Sequence, residues 1–406
     1  MYQLTFKLKQ HTPIIHFQHN QDGATLRVSE VKPKLDRFII EKLGNGNYAA
    51  GIEVAKNNAW LIDKEKGALN YKMRIESTGN KLFENLIDIE TQFNNEIKKD
   101  VFIKGKDGSF PTFFGNMMKV SEFKNGKEFK KFSFNHGAIL NISSIDKELY
   151  DFIEKNISSF FETNNFGTRQ SKGFGSFTIE TSSISLTKSY LEFDFPDNKK
   201  IENIFKVINY YHLRLKSGVN FSFYNKNEKK QLCHYKEAFI KIFLRKNSIL
   251  YEWDKRWMKE KFFPITTNTA DKRFVRALLG LSYDFKFTSK NNPCNKTPNN
   301  PTRASFNLSL DNNNEIQRIQ SPIVYKPIIV NNKCRIYILI DDRYLLNALN
   351  KRFTFNSDQN PAVSDSIFTP SSPLDYSKLI SDYHTELGKR FNAYEFNMKY
   401  IIVDVK

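Results

Sequence analysis

Polar and apolar side chains alternate along the first segment of the chain. Apolar residues stand at positions 2, 4, 6 and 8 of "MYQLTFKLKQ", and polar residues separate them. A period of two predicts a half-buried β-strand. The segment lacks the continuous apolar stretch of a signal peptide. No later segment approaches the ~20 apolar residues of a membrane span, so we expect no membrane partner.

A helix is predicted after this strand and the loop that follows it. Pro33 suits the first turn of a helix, where a backbone N–H is not needed, and Gly44 stands where a C-cap belongs. Between them, apolar residues recur at the spacing of one helical face: Leu35, Phe38, Ile39 and Leu43. The N-terminal region is therefore predicted as strand, loop and helix.

A second helix and a closing strand are predicted near residue 150 and beyond. In "SSIDKELYDFIEKNISSFFE", Ser143 and Asp146 have the spacing of a capping box, and an apolar stripe follows them. The glycine-rich segment "NNFGTRQSKGFGSF", residues 164–177, then leads into the apolar run "FGSFTIETSSISL". Such alternation predicts a β-α-β-β-α-β, ferredoxin-like (RRM-like) domain with an antiparallel sheet over residues 1–185.

Residues 186–406 are predicted as a second domain. Helical spacing recurs at about 201–216 and 232–247, and "RIYILIDD" has the pattern of a buried strand. The Asn- and Pro-rich run at 288–303 is typical of a mobile insertion. The expected fold class is therefore α+β, with two ferredoxin-like domains and helical and Asn-rich insertions in the second.

The charge balance favours a polyanionic partner. Lys and Arg number 62 against 44 Asp and Glu, which leaves a net charge of +18. Such a field attracts nucleic acid. The alternative is a Lys- and Asn-rich composition whose charge is spread over a solvated surface, and charge alone leaves both open. Three scattered cysteines form no disulfide framework, which suits a reducing, cytoplasmic location.

The glycine-rich segment is the strongest candidate for anion binding. Gly167, Gly173 and Gly175 permit positive φ, and consecutive N–H groups in such a turn form an anion-binding nest. Arg169 and Lys172 supply the charges that phosphates need. We expect Phe166 or Phe174 to stack on an unpaired base and Phe177 to face the core. The alternative is a tight helix-to-strand connection whose cations face water.

Three segments of the chain resemble motifs of one protein superfamily and occur in the expected order. "FGTRQSKGFGSF" resembles the glycine-rich loop of the RAMP superfamily, whose members build CRISPR effector complexes. Thr12 and Pro13, followed by "LRVSEVKPKLDRFI", resemble the opening of the first subunit of the type III-B (Cmr) complex. "IQRIQSPIVYKPI", with Ser321 and Pro322, resembles a further segment of that subunit. The matches extend from residue 12 to residue 326, so the resemblance covers most of the chain.

This resemblance implies a non-catalytic RNA-binding subunit with RAMP architecture. Its implied partners are guide crRNA near the 3′ end, target RNA and other RAMP backbone subunits, in antiviral defence. The cations would neutralise RNA phosphates, while guide–target pairing would supply sequence. For Arg27 and Arg37, the alternative that they lie on a solvated face flanking the helix has the same weight as RNA contact. The residues assigned to RNA contact are Gly167, Arg169, Ser171, Lys172, Gly173, Phe174, Gly175, Arg27, Lys34 and Arg37, with Arg318 and Lys326 as secondary candidates.

Histidines at positions 11, 16 and 19 raise the possibility of catalysis. A RAMP-type endoribonuclease that processes guide RNA needs a general base after the first strand, and His16 or His19 would serve. We favour the interpretation in which one histidine packs against the sheet and the others face solvent. Neither His16-x-x-His19 nor Cys233-His234 is completed by other metal-ligand types, so no metal and no cofactor are expected. Trp253 and Trp257 have the spacing of a core or interface stripe.

Overall fold

The computed structural model of this protein describes most of the chain, in segments. The described residues are 1–14, 26–63, 67–77, 91–94, 99–102, 137–180, 183–196, 201–225, 230–249, 251–252, 271–282, 284–288, 303–310, 318–343, 345–357, 364–392 and 401–406. Two compact units divide the chain. The first comprises Met1–Lys206 and Tyr325–Leu339, and the second comprises Val207–Val324 and Ile340–Lys406. The domain boundary at residues 185 and 186 stays a prediction.

The helices occupy both units. They are α1 (Val28–Leu43), α2 (Tyr48–Asn57), α3 (Lys147–Thr163), α4 (Glu202–Lys216), α5 (Phe239–Lys246) and α6 (Tyr376–Leu387). Among the described helices, none combines the length and the apolar character needed to cross a membrane.

The strands are mostly short. In the first part of the chain they are β1 (Tyr2–Gln10), β2 (Leu61–Asp63), β3 (Ala68–Leu69), β4 (Lys72–Ser77), β5 (Thr91–Asn94), β6 (Lys99–Phe102), β7 (Gly137–Ser144), β8 (Phe177–Ile179) and β9 (Tyr190–Asp194). Then follow β10 (Val219–Asn225), β11 (Lys230–Lys236), β12 (Tyr251–Glu252), β13 (Asp271–Lys272), β14 (Leu281–Ser282), β15 (Asp284–Thr288), β16 (Arg303–Leu310) and β17 (Arg318–Ile319). The last are β18 (Ile323–Val330), β19 (Lys333–Ile340), β20 (Arg352–Ser357), β21 (Ser364–Phe368), β22 (Arg390–Asn392) and β23 (Ile402–Val405).

A four-stranded antiparallel sheet organises the first unit. Its strand order is β4-β7-β1-β8, and every neighbouring pair is antiparallel. Along the chain these strands alternate with α1 and α3 as strand, helix, strand, strand, helix and strand. The prediction of a mixed α and β fold with antiparallel sheets is confirmed.

One face of this sheet packs against α1 and α3. Leu4, Leu8, Leu140 and Ile142 from the sheet belong to one buried cluster with residues of both helices, including Leu35, Ile39, Ile153 and Ile157. The apolar alternation of β1 and the helical stripes of α1 and α3 therefore meet in a single core. Burying these side chains supplies the main stabilisation of the unit.

Two details of the helix ends differ from prediction. The first helix begins at Val28, so Pro33 lies within it rather than in its first turn. Val31 extends the buried face N-terminal to Leu35, which explains why the helix starts earlier. The N-cap of α3 is Asp146, whose carboxylate accepts the Leu149 N–H at 2.8 Å. The Ser143 capping box was wrong, because Ser143 lies within β7.

The first unit also contains the two-stranded pairs β2-β3 and β5-β6, together with β9 and the parts of β18 and β19 that belong to it. β9 pairs antiparallel with β19, and the carboxylate of Glu192 accepts from Arg335 Nε at 2.6 Å across that pair. The predicted buried strand "RIYILIDD" is confirmed as the greater part of β19. Its neighbour β18 approaches the glycine-rich segment.

The second unit has its own sheet and helical core. Strands β15, β16, β20 and β21 form an antiparallel sheet in that order. The hydroxyl of Tyr383 on α6 donates to the carbonyl of Tyr211 on α4 at 3.0 Å. The helix predicted at 232–247 was partly wrong, because β11 pairs with β10 over its first residues and α5 covers only Phe239–Lys246. Trp253, Trp257 and most of the predicted insertion at 288–303 lie outside the described residues.

Candidate nucleic-acid interface

The glycine-rich segment forms a closed loop between α3 and β8. At its base Asn165 bridges Ser176, and the Phe166 N–H donates to the Gly175 carbonyl at 2.9 Å. Gly175 has φ +69°, and a Cβ there would lie 1.8 Å from the Phe166 carbonyl oxygen. Only glycine fits this close approach of two backbones.

Left-handed residues shape the tip of the loop. Gly167 has φ +80°, Arg169 +58° and Gly173 +87°. Between the last two, a single turn of 3-10 helix is closed by the Lys172 N–H, which donates to the Arg169 carbonyl at 2.9 Å. A left-handed arginine costs about 1–2 kcal/mol. The surrounding contacts must therefore hold the loop in this conformation.

Helix α1 supplies one set of those contacts. Lys34 donates to the Asn165 carbonyl at 2.9 Å and to Oε1 of Gln170 at 2.7 Å. The carboxylate of Glu30 accepts the Gly167 N–H at 2.5 Å. Burial lowers the pKa of Lys34, and the Glu30 carboxylate opposes that shift. Lys34 was assigned to RNA contact, but these bonds occupy its ammonium, so the structure gives it a supporting role.

The Thr-Pro segment after β1 holds the loop from another side. The Thr12 hydroxyl donates to the Gly173 carbonyl at 2.7 Å and accepts the Ser176 N–H at 2.9 Å. The Gly175 N–H donates to the Pro13 carbonyl at 2.8 Å. Both hydrogen-bonding capacities of Thr12 are satisfied in a buried position.

Strand β18 holds the base of the loop. The fully buried ammonium of Lys326 donates to the carbonyls of Asn164 at 2.7 Å and Phe177 at 2.9 Å. Burial lowers the pKa of Lys326 well below its usual value. The Ser176 hydroxyl donates to the Pro327 carbonyl at 2.5 Å. The assignment of Lys326 to RNA contact was wrong for this conformation, because its side chain has no exposed surface.

A buried histidine completes this junction. His11 Nε2 lies 2.7 Å from the Thr178 hydroxyl oxygen, and His11 Nδ1 accepts the Ile329 N–H at 3.0 Å. Burial, together with the nearby Lys326 charge, lowers the pKa of His11 well below its usual value. His11 therefore joins the first strand, β8 and β18. The three motif segments that are far apart in sequence meet around one loop.

The phenylalanines of the loop face inward. Phe166 is fully buried and packs edge-on against Phe160 and Phe177. Phe174 is also fully buried and stacks on Phe205, with ring centroids 4.1 Å apart. The prediction that Phe166 or Phe174 stacks on a base was wrong here, because both rings are already covered. Phe177 faces the core as expected.

Fewer residues of the loop lie at the surface than the sequence predicts. Gly173, Phe174 and Gly175 are buried, so the structure contradicts their direct contact with RNA. Burial, followed by the Arg169 charge, lowers the pKa of Lys172 to about 8. A phosphate placed beside the two cations would relieve that repulsion. Of the loop residues assigned to RNA contact, those that remain half-buried at the surface are Gly167, Arg169, Ser171 and Lys172.

The other residues assigned to RNA contact belong to α1, its N-cap and β17. Arg37 is exposed on α1, where its Nε lies 2.8 Å from Glu41, which fits the solvated-flank alternative. Arg27 is the half-buried N-cap of α1. Arg318 belongs to β17, and His16 and His19 lie outside the described residues. Within the described segments, no group of three or more His, Cys, Asp or Glu is arranged to hold a metal ion.

The sequence did not predict that Glu30 and His11 support the loop. The i, i+4 spacing of Glu30 and Lys34 was a visible signal of a pair on one helical face. Nothing in the local sequence linked either residue to the loop.

Two family models match most of the residues of this chain. The Cmr1 N-terminal domain matches residues 1–219, and the Cmr1 C-terminal domain matches residues 235–383. The chain belongs to the Cmr1 family. The resemblance to the first subunit of the type III-B Cmr complex is thereby confirmed.

Two solved structures are similar to this Cmr1 family chain at low identity. One is the crystal structure of Cmr1 from Pyrococcus furiosus in its apo form, with 10% identity, a TM-score of 0.37, and coverage of 84% of this chain and 89% of that chain. The other is a cryo-EM structure of the type III-B Cmr-beta complex bound to cognate target RNA and AMPPnP, with 11% identity, a TM-score of 0.40, and coverage of 94% and 98%. Curated proteins provide no match.

Proposed function

We propose that this Cmr1 family chain is an RNA-binding subunit of a type III, Cmr-like CRISPR effector. Its partners would be the 3′ region of the guide crRNA, the target RNA and other RAMP backbone subunits, in the cytoplasm. Family membership and the net charge of +18 support this function. The order of strands and helices in the first unit supports a ferredoxin-like domain. We propose that the chain contains a second domain of the same architecture.

The observation that carries the proposal is the construction of the glycine-rich loop. Three segments hold it in a conformation that places the left-handed Arg169 beside Lys172 at the surface. Burial lowers the pKa of Lys172 most, and repulsion by the adjacent Arg169 charge lowers it further. Such an arrangement is stabilised when a phosphate lies between the two cations. The loop would therefore bind the sugar-phosphate backbone, and base pairing would supply sequence.

The test measures binding of single-stranded RNA to the full chain by fluorescence anisotropy over a range of salt concentrations. Each phosphate contact to a single strand contributes about 0.7 to the slope of log K against log salt. The double variant Arg169→Ala and Lys172→Ala should therefore lower the slope by about 1.4 and the affinity by roughly tenfold or more. The matched control removes two exposed cations from the helical side, Lys42→Ala and Lys155→Ala. Unchanged affinity and slope in the loop variant would overturn the proposed site.

We further propose that the subunit binds RNA without cleaving it, and that it uses no metal or cofactor. Incubation of the purified chain with repeat RNA in EDTA tests this point. Intact RNA supports a binding subunit. Specific cleavage that His16→Ala or His19→Ala abolishes would instead establish the guide-processing endoribonuclease.

Copurification tests the proposed partners. The chain should retain guide RNA and RAMP backbone subunits when it is isolated under mild salt, and sequencing of the bound RNA should return guides. Recovery of the chain alone, without RNA, would contradict the assignment to an effector complex.

A further inference from the structure

In the four-stranded sheet of the first unit, the face opposite the helices is open along β4, β7 and β1, whereas Thr178 on β8 is buried and bonds to His11. Leu4, Leu8, Leu140 and Ile142 point to the side that α1 and α3 cover. Because side chains alternate along a strand, the intervening positions of β1, β7 and β4 point to the other side. These positions are mainly polar and exposed, as one face of an antiparallel sheet can be.

Strand register arranges the cations of this face in a line. Lys72 and Arg74 occupy two successive open-face positions of β4. Across the sheet on β1, Lys7 and Lys9 occupy the two open-face positions that come next in the same direction. β7 lies between the two strands, so the line runs obliquely from the edge strand β4 across β7 to β1. Neighbouring positions along each strand are about 7 Å apart, and β4 and β1 are about 10 Å apart. These four residues are called the cationic diagonal.

The charges of the cationic diagonal are only partly compensated. Arg74 Nε lies 2.7 Å from Glu76, but this pair is exposed and so contributes little stability. In the described part of the chain, no ion pair involves Lys7, Lys9 or Lys72. This surface therefore carries four cations and two carboxylates, Glu76 and Glu180, whose backbone N–H donates to the Lys7 carbonyl at 2.9 Å, so a net positive charge remains. A solvated face that needed only solubility would more commonly mix the two signs.

The side chains around the cationic diagonal indicate which part of a nucleic acid it suits. Thr5 donates to Asn141 Oδ1 at 2.8 Å between the two pairs of cations, and hydroxyl and amide groups of this kind bond to phosphate and ribose oxygens. The open-face positions of β1, β7 and β4 include no aromatic residue. Base stacking, which needs an aromatic platform, therefore has no support on this face.

The cationic diagonal also leads toward the glycine-rich loop. Lys9 is the cross-strand partner of Thr178 on β8, and β8 begins at the last residue of the loop segment, although Thr178 itself is buried beside His11. We propose that the cationic diagonal binds the ribose-phosphate backbone of single-stranded RNA as a second contact, separate from the one at the loop. This inference rests on the proposed RNA-binding function.

The experiment compares three full-length variants by anisotropy with a short and a long single-stranded RNA. The diagonal variant carries Lys7→Gln, Lys9→Gln, Lys72→Gln and Arg74→Gln, which preserve polarity and strand surface. The loop variant carries Arg169→Ala and Lys172→Ala. The control variant carries Lys42→Gln and Lys155→Gln on the helical side. Circular dichroism confirms that each variant is folded.

We expect the diagonal variant to lose about tenfold or more in affinity for the long RNA, with a smaller salt slope and a much smaller effect on the short RNA. If the loop variant loses affinity and the diagonal variant does not, this inference fails and the proposed function stands. If neither loses affinity, both fail. Polyglutamate is the probe for an acidic protein partner. If polyglutamate binds at the cationic diagonal while the diagonal variant keeps its RNA affinity, the partner of this face is an acidic protein and the RNA assignment is overturned.

Discussion

Thr12 and Gly173 are 161 positions apart in sequence and are joined by a 2.7 Å hydrogen bond from the Thr12 hydroxyl to the Gly173 carbonyl. The same hydroxyl accepts the Ser176 N–H. One buried side chain therefore fastens the Thr-Pro segment to both the tip and the base of the glycine-rich loop. This connection makes the shape of the loop dependent on a residue that need not touch RNA.

Thr12→Val should destabilise the chain by about 1–3 kcal/mol, because it preserves shape but leaves a buried carbonyl and a buried N–H without their partner. Urea unfolding measures the loss. Thr12→Ser retains the hydroxyl and should lose less. Equal effects of the two substitutions would show that packing of the methyl group, rather than hydrogen bonding, is what matters.

Gly175→Ala should be more damaging than Gly46→Ala. Both glycines have positive φ, so alanine is strained at either position by about 1 kcal/mol. At position 175 the new Cβ would also lie 1.8 Å from a backbone oxygen, whereas at position 46 it has no neighbour within 4 Å. We expect a loss of unfolding free energy above about 2 kcal/mol for Gly175→Ala alone. Similar urea midpoints for the two variants would contradict the close approach.

RNA affinity should fall as the pH rises through the pKa of Lys172, which lies at about 8. Below this pH the ammonium is charged and attracts phosphate; above it the free protein must first bind a proton. The affinity should therefore decrease by up to about tenfold per pH unit above about pH 8. Anisotropy titrations across this range provide the measurement. Lys172→Arg, which stays charged, should remove this dependence, and its persistence in that variant would assign the titration to another group.

Lys326→Met should weaken RNA binding without changing its salt slope. The substitution leaves the carbonyls of Asn164 and Phe177 without a buried donor but removes no surface charge. Loss of those bonds should speed hydrogen exchange of the loop amides while the number of phosphate contacts stays the same. A reduced salt slope would mean that Lys326 reaches RNA in the complex. Lys155→Met, on the exposed surface of α3, is the control.

The secondary structure of the first unit was largely predictable, because its signals are local. The period-two alternation of β1 and the apolar stripe of α3 each identify one element and its buried face. The start of α1 was misjudged because Pro33 is typical of a first turn, and only the burial of Val31 showed that the helix begins earlier. In the second unit, pairing with β10 overrode the helical pattern of the residues that form β11.

The sequence alone indicated the RAMP resemblance, the cationic glycine-rich loop and the need for glycine within it. Which cations stay at the surface was decided only by tertiary structure. Lys172 and Lys326 have the same side chain, yet β18 carries Lys326 into the interior to bond two carbonyls, while the loop holds Lys172 at the surface. The physical reason is that burial and hydrogen-bond partners depend on segments far apart in the chain, and no local pattern encodes which of them will meet.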